Sequence, residues 1–383
     1  MPTVLIIGGG VAGTAAALAL DKAAYDVTVY EAHPVNSHDR GAFLTLASNG
    51  MHALRQIDAD TAVCATSAPL RTMRVCADEG QEIATVALGD SHEPVTEYRY
   101  LTRAELCSAL QRQAQDRGIR IERDKRLTQI STNSGAVTAM FSDGSRACGD
   151  VLIGADGLRS VVRTALNRTA SAPRYAGERV FYGYSTNTGV DSPPDHFQVI
   201  RGSAAFGYIV TKQHDTWWFC RVNDTELSHY QLTTGTTASW KAELSTHLRD
   251  DQTPAAAIVR AAHQVMVTNA YDLPHLRIWH RDHALLIGDA AHAASPATGQ
   301  GASLALEDAI VAAKVLRDSP DPKSAFVLYE RLRRDRVQAN IDHSAHMSAR
   351  HRLKWPQLPP ARQRITNLND AIHTQLQWHT PLA

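Results

Sequence analysis

Gly8, Gly10 and Gly13 stand at GxGxxG spacing, between the apolar run Val4 to Ile7 and an alanine-rich stretch that opens with Val11 and Ala12. Glycines at those places allow a tight turn. They also let backbone N–H groups approach a pyrophosphate, which the positive end of the following helix then holds. Glu31, followed by Ala32, closes the next apolar run, where a carboxylate can hold ribose hydroxyls. These residues read as a dinucleotide site and do not by themselves separate FAD from NAD. Far downstream, Leu285-Leu286-Ile287 runs into Gly288-Asp289 and then Pro296-Ala297-Thr298-Gly299-Gln300-Gly301-Ala302. A carboxylate at a strand end can take a ribityl hydroxyl, and a helix beginning at Gly301 can face the pyrimidine edge of a flavin. That edge becomes anionic on reduction, so a helix dipole would stabilise it. An aspartate also serves such loops as a plain turn residue. Read together, the two clusters point to non-covalently bound FAD.

These residues need elements to position them. Val4 to Ile7 reads as a buried parallel strand, Thr14 to Ala24 as a helix and Asp26 to Glu31 as a second strand, one complete βαβ unit. Thr102-Arg103-Ala104-Glu105 is a capping box that opens a helix to about Arg117, with a strand at Ile119 to Glu122. Ala136 to Phe141 and Arg146 to Ala147 flank an Asp-Gly turn and form a hairpin. Val151 to Ile153 is a buried strand that ends in Gly154-Ala155-Asp156-Gly157, with a helix from Arg159. From about Ser171 helical periodicity gives way to alternation, and nine of the 24 aromatic residues lie between Phe181 and Phe219. That texture predicts an antiparallel sheet, with strands added from 66–99. After Leu276 the α/β texture returns, with a strand at Ala284 to Ile287 and a helix from about Ala302 to Leu316. A helical tail from Asp335 breaks at Pro356, Pro359 and Pro360, and a last helix is expected within Ala361 to Gln377.

The predicted fold is therefore α/β: a discontinuous Rossmann-like FAD-binding domain (1–65, 100–170 and 276–320), an inserted antiparallel sheet domain for substrate (66–99 and 171–275), and C-terminal helices (321–383). At 383 residues the chain has room for two such domains. Lys+Arg and Asp+Glu balance at 39 each, which gives no basic surface for nucleic acid. No apolar stretch reaches the length needed for an integral membrane segment, and the N-terminus reads as a strand rather than a signal peptide. The five cysteines are scattered and lack any CxxC, so neither a disulfide framework nor a metal site is expected, and a cytoplasmic setting is.

Three motifs in order, Gly8-x-Gly10-x-x-Gly13, Gly154-Ala155-Asp156-Gly157-Leu158-Arg159-Ser160, and Gly288-Asp289 with Pro296-x-x-Gly299-Gln300-Gly301, resemble the fingerprints of the single-component FAD-dependent monooxygenases. These are the group A hydroxylases with the para-hydroxybenzoate hydroxylase fold, and the resemblance covers about residues 1–320. It implies that Glu31 binds the adenosine ribose, that Arg103 reaches the pyrophosphate or ribityl region, and that Arg40 lies near the cofactor. It implies that Leu127 touches the adenine through its backbone and that Asp156 belongs to a motif linked to FAD and NAD(P)H. It also implies that Asp289 binds the ribityl chain, with Pro296 and the backbone of Gly299 to Ala302 along the flavin ring. Each has a plainer role open to it: a surface charge for Arg40, a first-turn helix residue for Arg103, turn chemistry for Asp156, and packing or capping for His292.

The implied chemistry belongs to the cofactor. NADPH or NADH reduces FAD, and O2 forms a C4a-hydroperoxide that hydroxylates or epoxidises an electron-rich substrate. That substrate is expected to be small to mid-sized, aromatic or polyketide-like. Water must be kept out. Tyr184, Phe206, Tyr208 and Trp218 on alternating strands are candidates for an aromatic lid, with Arg221 beside the substrate; ordinary sheet core is the alternative for each. Tyr184, Tyr208, Arg221 and His196 can orient or deprotonate a phenol, and none is singled out as the catalytic base. There is no second GxGxxG for a separate nicotinamide domain. Trp217-Trp218-Phe219 does not match the Trp-x-Trp-x-Ile-Pro stretch of flavin-dependent halogenases. A flavin reductase, or a flavin-binding protein without turnover, is the remaining alternative. A monomer or homodimer is expected.

Overall fold

The computed structural model describes residues 1–34, 42–89, 96–133, 135–273, 275–350, 364–365 and 369–382. Arg40, Pro356, Pro359 and Pro360 lie outside them. The strands Thr3–Ile7, Asp26–Tyr30, Arg120–Glu122, Val151–Gly154 and Ala284–Leu286 form a parallel sheet. Across it the order is 280–281, 284–286, 151–154, 3–7, 26–30, 120–122, with His280–Arg281 antiparallel at one edge. Val4, Leu5, Ile6, Leu152 and Ile153 are fully buried, as continuous apolar strands covered on both faces require. The helix Val11–Lys22 is alanine-rich because it is sandwiched: Ala15 to Leu20 have no exposure, and the helix packs against Gly301–Asp318. Leu127–Asn133, Ala136–Phe141 and Arg146–Gly149 form a small antiparallel sheet.

The aromatic-rich region builds an eight-stranded sheet, in the order 262–272, 174–185, 216–223, 205–210, 196–201, 72–77, 82–88, 364–365. The strands from the expected 66–99 region, Thr72–Ala77 and Glu82–Leu88, join it. Ala68–Leu70 and Tyr98–Thr102 instead pair in a three-stranded sheet with Phe43–Leu46.

Two expectations need correction. Helices do occur after Ser171: His229–Thr234, Thr237–His247 and Ala255–Arg260 cover one face of the large sheet. Their apolar stripe is narrow, Trp240, Leu244 and Leu248, too thin to stand out as periodicity. The long helix begins at Pro322 rather than near Asp335. Asp321 Oδ1 accepts the N–H groups of Lys323 and Ser324 at 2.9 and 3.1 Å, and Pro322 occupies the first turn, where a missing N–H costs nothing. Near the C-terminus, Arg364–Ile365 is a strand beside Glu82–Leu88, and the last helix is Asp370–Leu376.

Candidate active site

All three glycine-rich loops leave the same edge of the parallel sheet. Gly8 follows strand Thr3–Ile7 with φ +106° and donates to Tyr30 O at 2.9 Å. A Cβ on Gly8 would lie 2.4 Å from Ala155 O, and one on Gly13 only 1.9 Å from Gly8 O, so both sites admit glycine alone. Gly10 differs: a Cβ there meets nothing within 4 Å. It precedes the helix whose first residues are Val11 and Ala12, and no side chain caps that helix. The first turn thus offers free N–H groups to an open space, which suits an anion.

Glu31 ends the second strand and turns back onto the loop. Its Oε2 accepts Gly9 N–H at 2.7 Å and its Oε1 accepts His33 N–H at 2.9 Å. Ala32 is half-buried beside it. Gln111 Nε2 donates to Gly9 O at 2.6 Å and is itself held by Arg123 at 2.6 Å. Gln111 and Arg123 escaped the sequence reading because a polar residue inside a helix carries no motif. Arg103 is the first residue of helix Arg103–Asp116, and its N–H donates to Ala42 O at 2.9 Å. It forms no ion pair among the described residues. Its guanidinium is felt by the Cys107 thiol, which burial pushes up, and Glu31 acts on the same thiol. Leu127 is buried at the start of its strand, opposite Phe141, whose ring stacks on Tyr30 at 4.7 Å.

Asp156 accepts from Ser160 Oγ at 2.5 Å and from the N–H groups of Val161 and Val162 at 2.7 and 3.1 Å, so it caps the helix Val161–Leu166. Burial pushes its carboxyl up, and those bonds oppose the shift. Arg163 links this loop to the downstream one, donating to Ala290 O at 3.0 Å and Leu158 O at 2.6 Å. Gly288 has φ +57°, and a Cβ there would be 2.9 Å from Ala12 Cβ. The first and third motifs, distant in sequence, therefore pack against each other. Asp289 is exposed at the head of this turn with no hydrogen-bond partner among the described residues. Pro296–Thr298 forms a short 3-10 turn, and Gly299 has φ +65°. The helix from Gly301 and Ala302 has no side-chain cap, and a Cβ on Gly301 meets nothing within 4 Å. His292 is buried and hydrogen-bonded to Asp308, a packed role rather than an exposed proton donor.

The five substrate candidates do not come together. Along Thr216–Asn223, Trp218, Cys220 and Val222 point under the helices of residues 229–260, with Phe181, Phe206 and Tyr208. Phe206 and Trp218 have no exposure, and their rings stack at 5.5 Å. Phe206, Tyr208 and Trp218 are thus sheet core. Trp217 and Phe219 lie on the opposite face, with Tyr182, facing Phe43, Tyr98 and Tyr100. Tyr184 joins this face, edge-on to Trp217 at 5.4 Å, and alternation places Arg221 there too. Tyr182, Tyr184, Trp217 and Phe219 keep part of their surface free. Phe43, Tyr182, Trp217 and Phe219 were missed because strand parity was not assigned; alternation within Trp217 to Arg221 was the available signal. The Tyr182 hydroxyl, pushed up by burial, senses the charges of both Arg221 and Arg103. Burial pushes Tyr184 and Tyr208 up to about 12, so both hydroxyls are protonated near neutral pH. Burial pulls the Arg221 guanidinium down, and Glu178, 3.5 Å away, resists. His196 lies at the start of its strand, 3.9 Å from Asp195.

The cradle fits FAD: glycine-only contacts below, open space above Gly10 and Gly301, and two uncapped helix ends. The comparisons agree. A model of the FAD binding domain family matches residues 1–344. Aurachin C monooxygenase/isomerase of Stigmatella aurantiaca is 30% identical over 348 residues, covering 88% of this chain and 86% of the relative. The 6-hydroxynicotinate 3-monooxygenase of Bordetella bronchiseptica is 29% identical over 347 residues, covering 88% of each. The solved structure of Klebsiella pneumoniae HpxO with FAD and uric acid superposes with a TM-score of 0.80 at 25% identity, covering 91% of this chain and 88% of that one. No helix among the described residues is long and apolar enough to cross a membrane. With three glycine-rich loops at one edge of the parallel sheet and these matches, the chain belongs to the single-component FAD-dependent monooxygenases of the para-hydroxybenzoate hydroxylase family.

Proposed function

We propose that this enzyme hydroxylates a small or mid-sized electron-rich aromatic ring, held between the flavin and the Tyr182–Trp217 face of the large sheet. The observation that carries the reading is the packing of Gly288 on Ala12, which joins the two cofactor loops into one site. In this arrangement the Gly8 to Gly13 turn takes the pyrophosphate, with Val11 and Ala12 at the helix end and Arg103 adding charge. Glu31 and Ala32 take the adenosine ribose, and Leu127 lies along the adenine. Asp156 shapes the middle loop. Asp289 takes the ribityl hydroxyls, and Pro296, Gly299, Gly301 and Ala302 line the ring. The division into a discontinuous cofactor domain and an inserted substrate domain belongs to the same reading; the separate hydrophobic clusters under each sheet support it.

Bound FAD, reduced by NADPH or NADH, supplies the activation of O2. The chain's own residues orient the ring and exclude water. Phe43, Tyr100, Trp217 and Phe219 form an apolar wall, with ring centroids 5.6 to 6.4 Å apart. Tyr182 and Tyr184 present protonated hydroxyls, and Arg221 presents a cation, so an anionic or phenolic oxygen is well matched here. Hydroxylated aromatic rings are the class that suits such a wall. The names of relatives such as 6-hydroxynicotinate 3-monooxygenase point the same way. The five free cysteines suit a reducing setting such as the cytoplasm.

The test is a screen of hydroxylated aromatic and heteroaromatic compounds for faster NAD(P)H oxidation, with mass spectrometry of the products. The expected result is a ring compound that gains one oxygen atom as O2 is consumed. Turnover of NAD(P)H with oxygen-free reduction of the substrate would instead mark a reductase.

A further inference from the structure

The flavin end of the site rests on a layer of buried charge. Glu307 and Asp308 are adjacent in helix Gly301–Asp318, and Arg333 lies on helix Pro322–Arg350; none of the three has any exposure. Asp308 Oδ2 accepts Gly288 N–H at 2.9 Å and is hydrogen-bonded to His292 Nε2. Its Oδ1 accepts Arg333 Nε at 2.8 Å. Arg333 Nη1 sits 2.6 Å from Glu307 Oε2, and Arg336 Nε donates to the same oxygen at 2.7 Å. Glu307 Oε1 accepts from Asn49 Nδ2 at 2.6 Å, and Asn49 Nδ2 also reaches Gln300 Oε1 at 3.3 Å. One arm of the network thus ends on the turn that presents Asp289. The other ends on the residue before Gly301.

Stability is a poor reason for such a layer. Desolvating several ions is costly, and apolar replacements of similar volume are often neutral or better. Direction is a better reason. Burial pushes the Asp308 carboxyl up, but His292 and Arg333 outweigh it and hold it below the ordinary carboxylate range. A permanently charged acceptor fixes the Gly288 N–H, because rotating the turn would leave that buried donor unpaired, while His292 and Arg333 keep the carboxylate itself in place. We propose that Asp308, braced by Arg333, is a positioning residue: it sets the Gly288–Asp289 turn for FAD, while Glu307 and Asn49 set the Gln300 turn. The inference rests on the reading of these two turns as the flavin-binding end.

The experiment titrates apo-protein with FAD, following flavin fluorescence, and melts each apo-protein in parallel. Asp308→Leu removes the acceptor while keeping the branched shape; Asp308→Asn keeps an oxygen for Gly288. The Kd for FAD is expected to rise at least about tenfold in Asp308→Leu and to stay within about threefold in Asp308→Asn. A purely structural residue would instead lower both melting points and leave Kd of the folded fraction unchanged. Wild-type affinity in folded Asp308→Leu overturns the proposal, as does equal loss of FAD in both variants. Should Asp308→Leu fail to fold, Asn49→Ala cuts the arm to Gln300 without stranding a charge, because Glu307 keeps Arg333 and Arg336 as partners. It is expected to raise Kd about threefold, and no change overturns the proposal. Wild-type protein that binds no FAD would sink the reading of the turns themselves, a separate outcome.

Discussion

Gly10 and Gly13 are the same residue type three positions apart, yet they answer to different demands. Gly13 has no room for a methyl group, since its Cβ would sit 1.9 Å from Gly8 O. Gly10 has room, since a Cβ there meets nothing within 4 Å, and the proposed site gives that room to the pyrophosphate. Gly13→Ala is expected to lose at least about 2 kcal/mol of stability through overpacking. Gly10→Ala should melt within about 0.5 kcal/mol of wild type yet bind FAD about tenfold more weakly. Calorimetry and FAD titration of the two variants check both halves; equal effects would mean that the space above Gly10 is not the phosphate site. The motif glycines and the acids Glu31, Asp156 and Asp289 were legible because turn chemistry and anion binding restrict residue type at fixed spacing. Gln111, Arg123 and Asp308 were not, because what they hold is distant in sequence and only folding brings it near.

At the scale of elements, strand parity decides function. The parallel strands and the helix Arg103–Asp116 could be read from apolar runs and a capping box. The face of a strand in a two-sided sheet could not, because Trp217 and Trp218 are both aromatic and the helices of residues 229–260 hid in a polar texture. The structure separates the two tryptophans. Trp218 is fully buried and its indole donates to Ser185 Oγ at 2.9 Å. Trp218→Ala is expected to lose about 3–5 kcal/mol of stability, from transfer and cavity terms together. Trp217→Ala, on the half-open face, should lose about 1 kcal/mol and raise the substrate KM severalfold with little change in FAD affinity. Denaturant melts and steady-state kinetics distinguish them, and interchanged phenotypes would reverse the face assigned to substrate.

Across the whole molecule, the C-terminal helix Asp370–Leu376 returns to brace the cofactor half. The His373 ring lies tilted against that of buried His52, with centroids 4.4 Å apart, and Lys314 donates to the carbonyls of Gln375 and Gln377 at 2.6 Å each. Burial, then His373 and Arg55, lower the His52 pKa to about 4. The folded protein therefore binds fewer protons than the unfolded chain between about pH 6.5 and 4. This contribution is present above pH 6.5 and is lost as pH falls toward 4. Acidification through this window should lower the melting temperature of the wild type more than that of His52→Gln, and a parallel pH dependence would rule out His52 as the cause. The overall α/β plan and its order were legible from the three motifs; this return of the tail was not, since no motif marks a docking contact.

The central claim is that loops at opposite ends of the chain hold one flavin between them. A crystal structure of the protein with FAD tests it most directly. The account predicts the pyrophosphate over Gly10 and a ribityl hydroxyl within about 3 Å of the Asp289 carboxylate. A flavin whose ribityl chain lies away from Asp289, or a nicotinamide nucleotide occupying both loops, would contradict it.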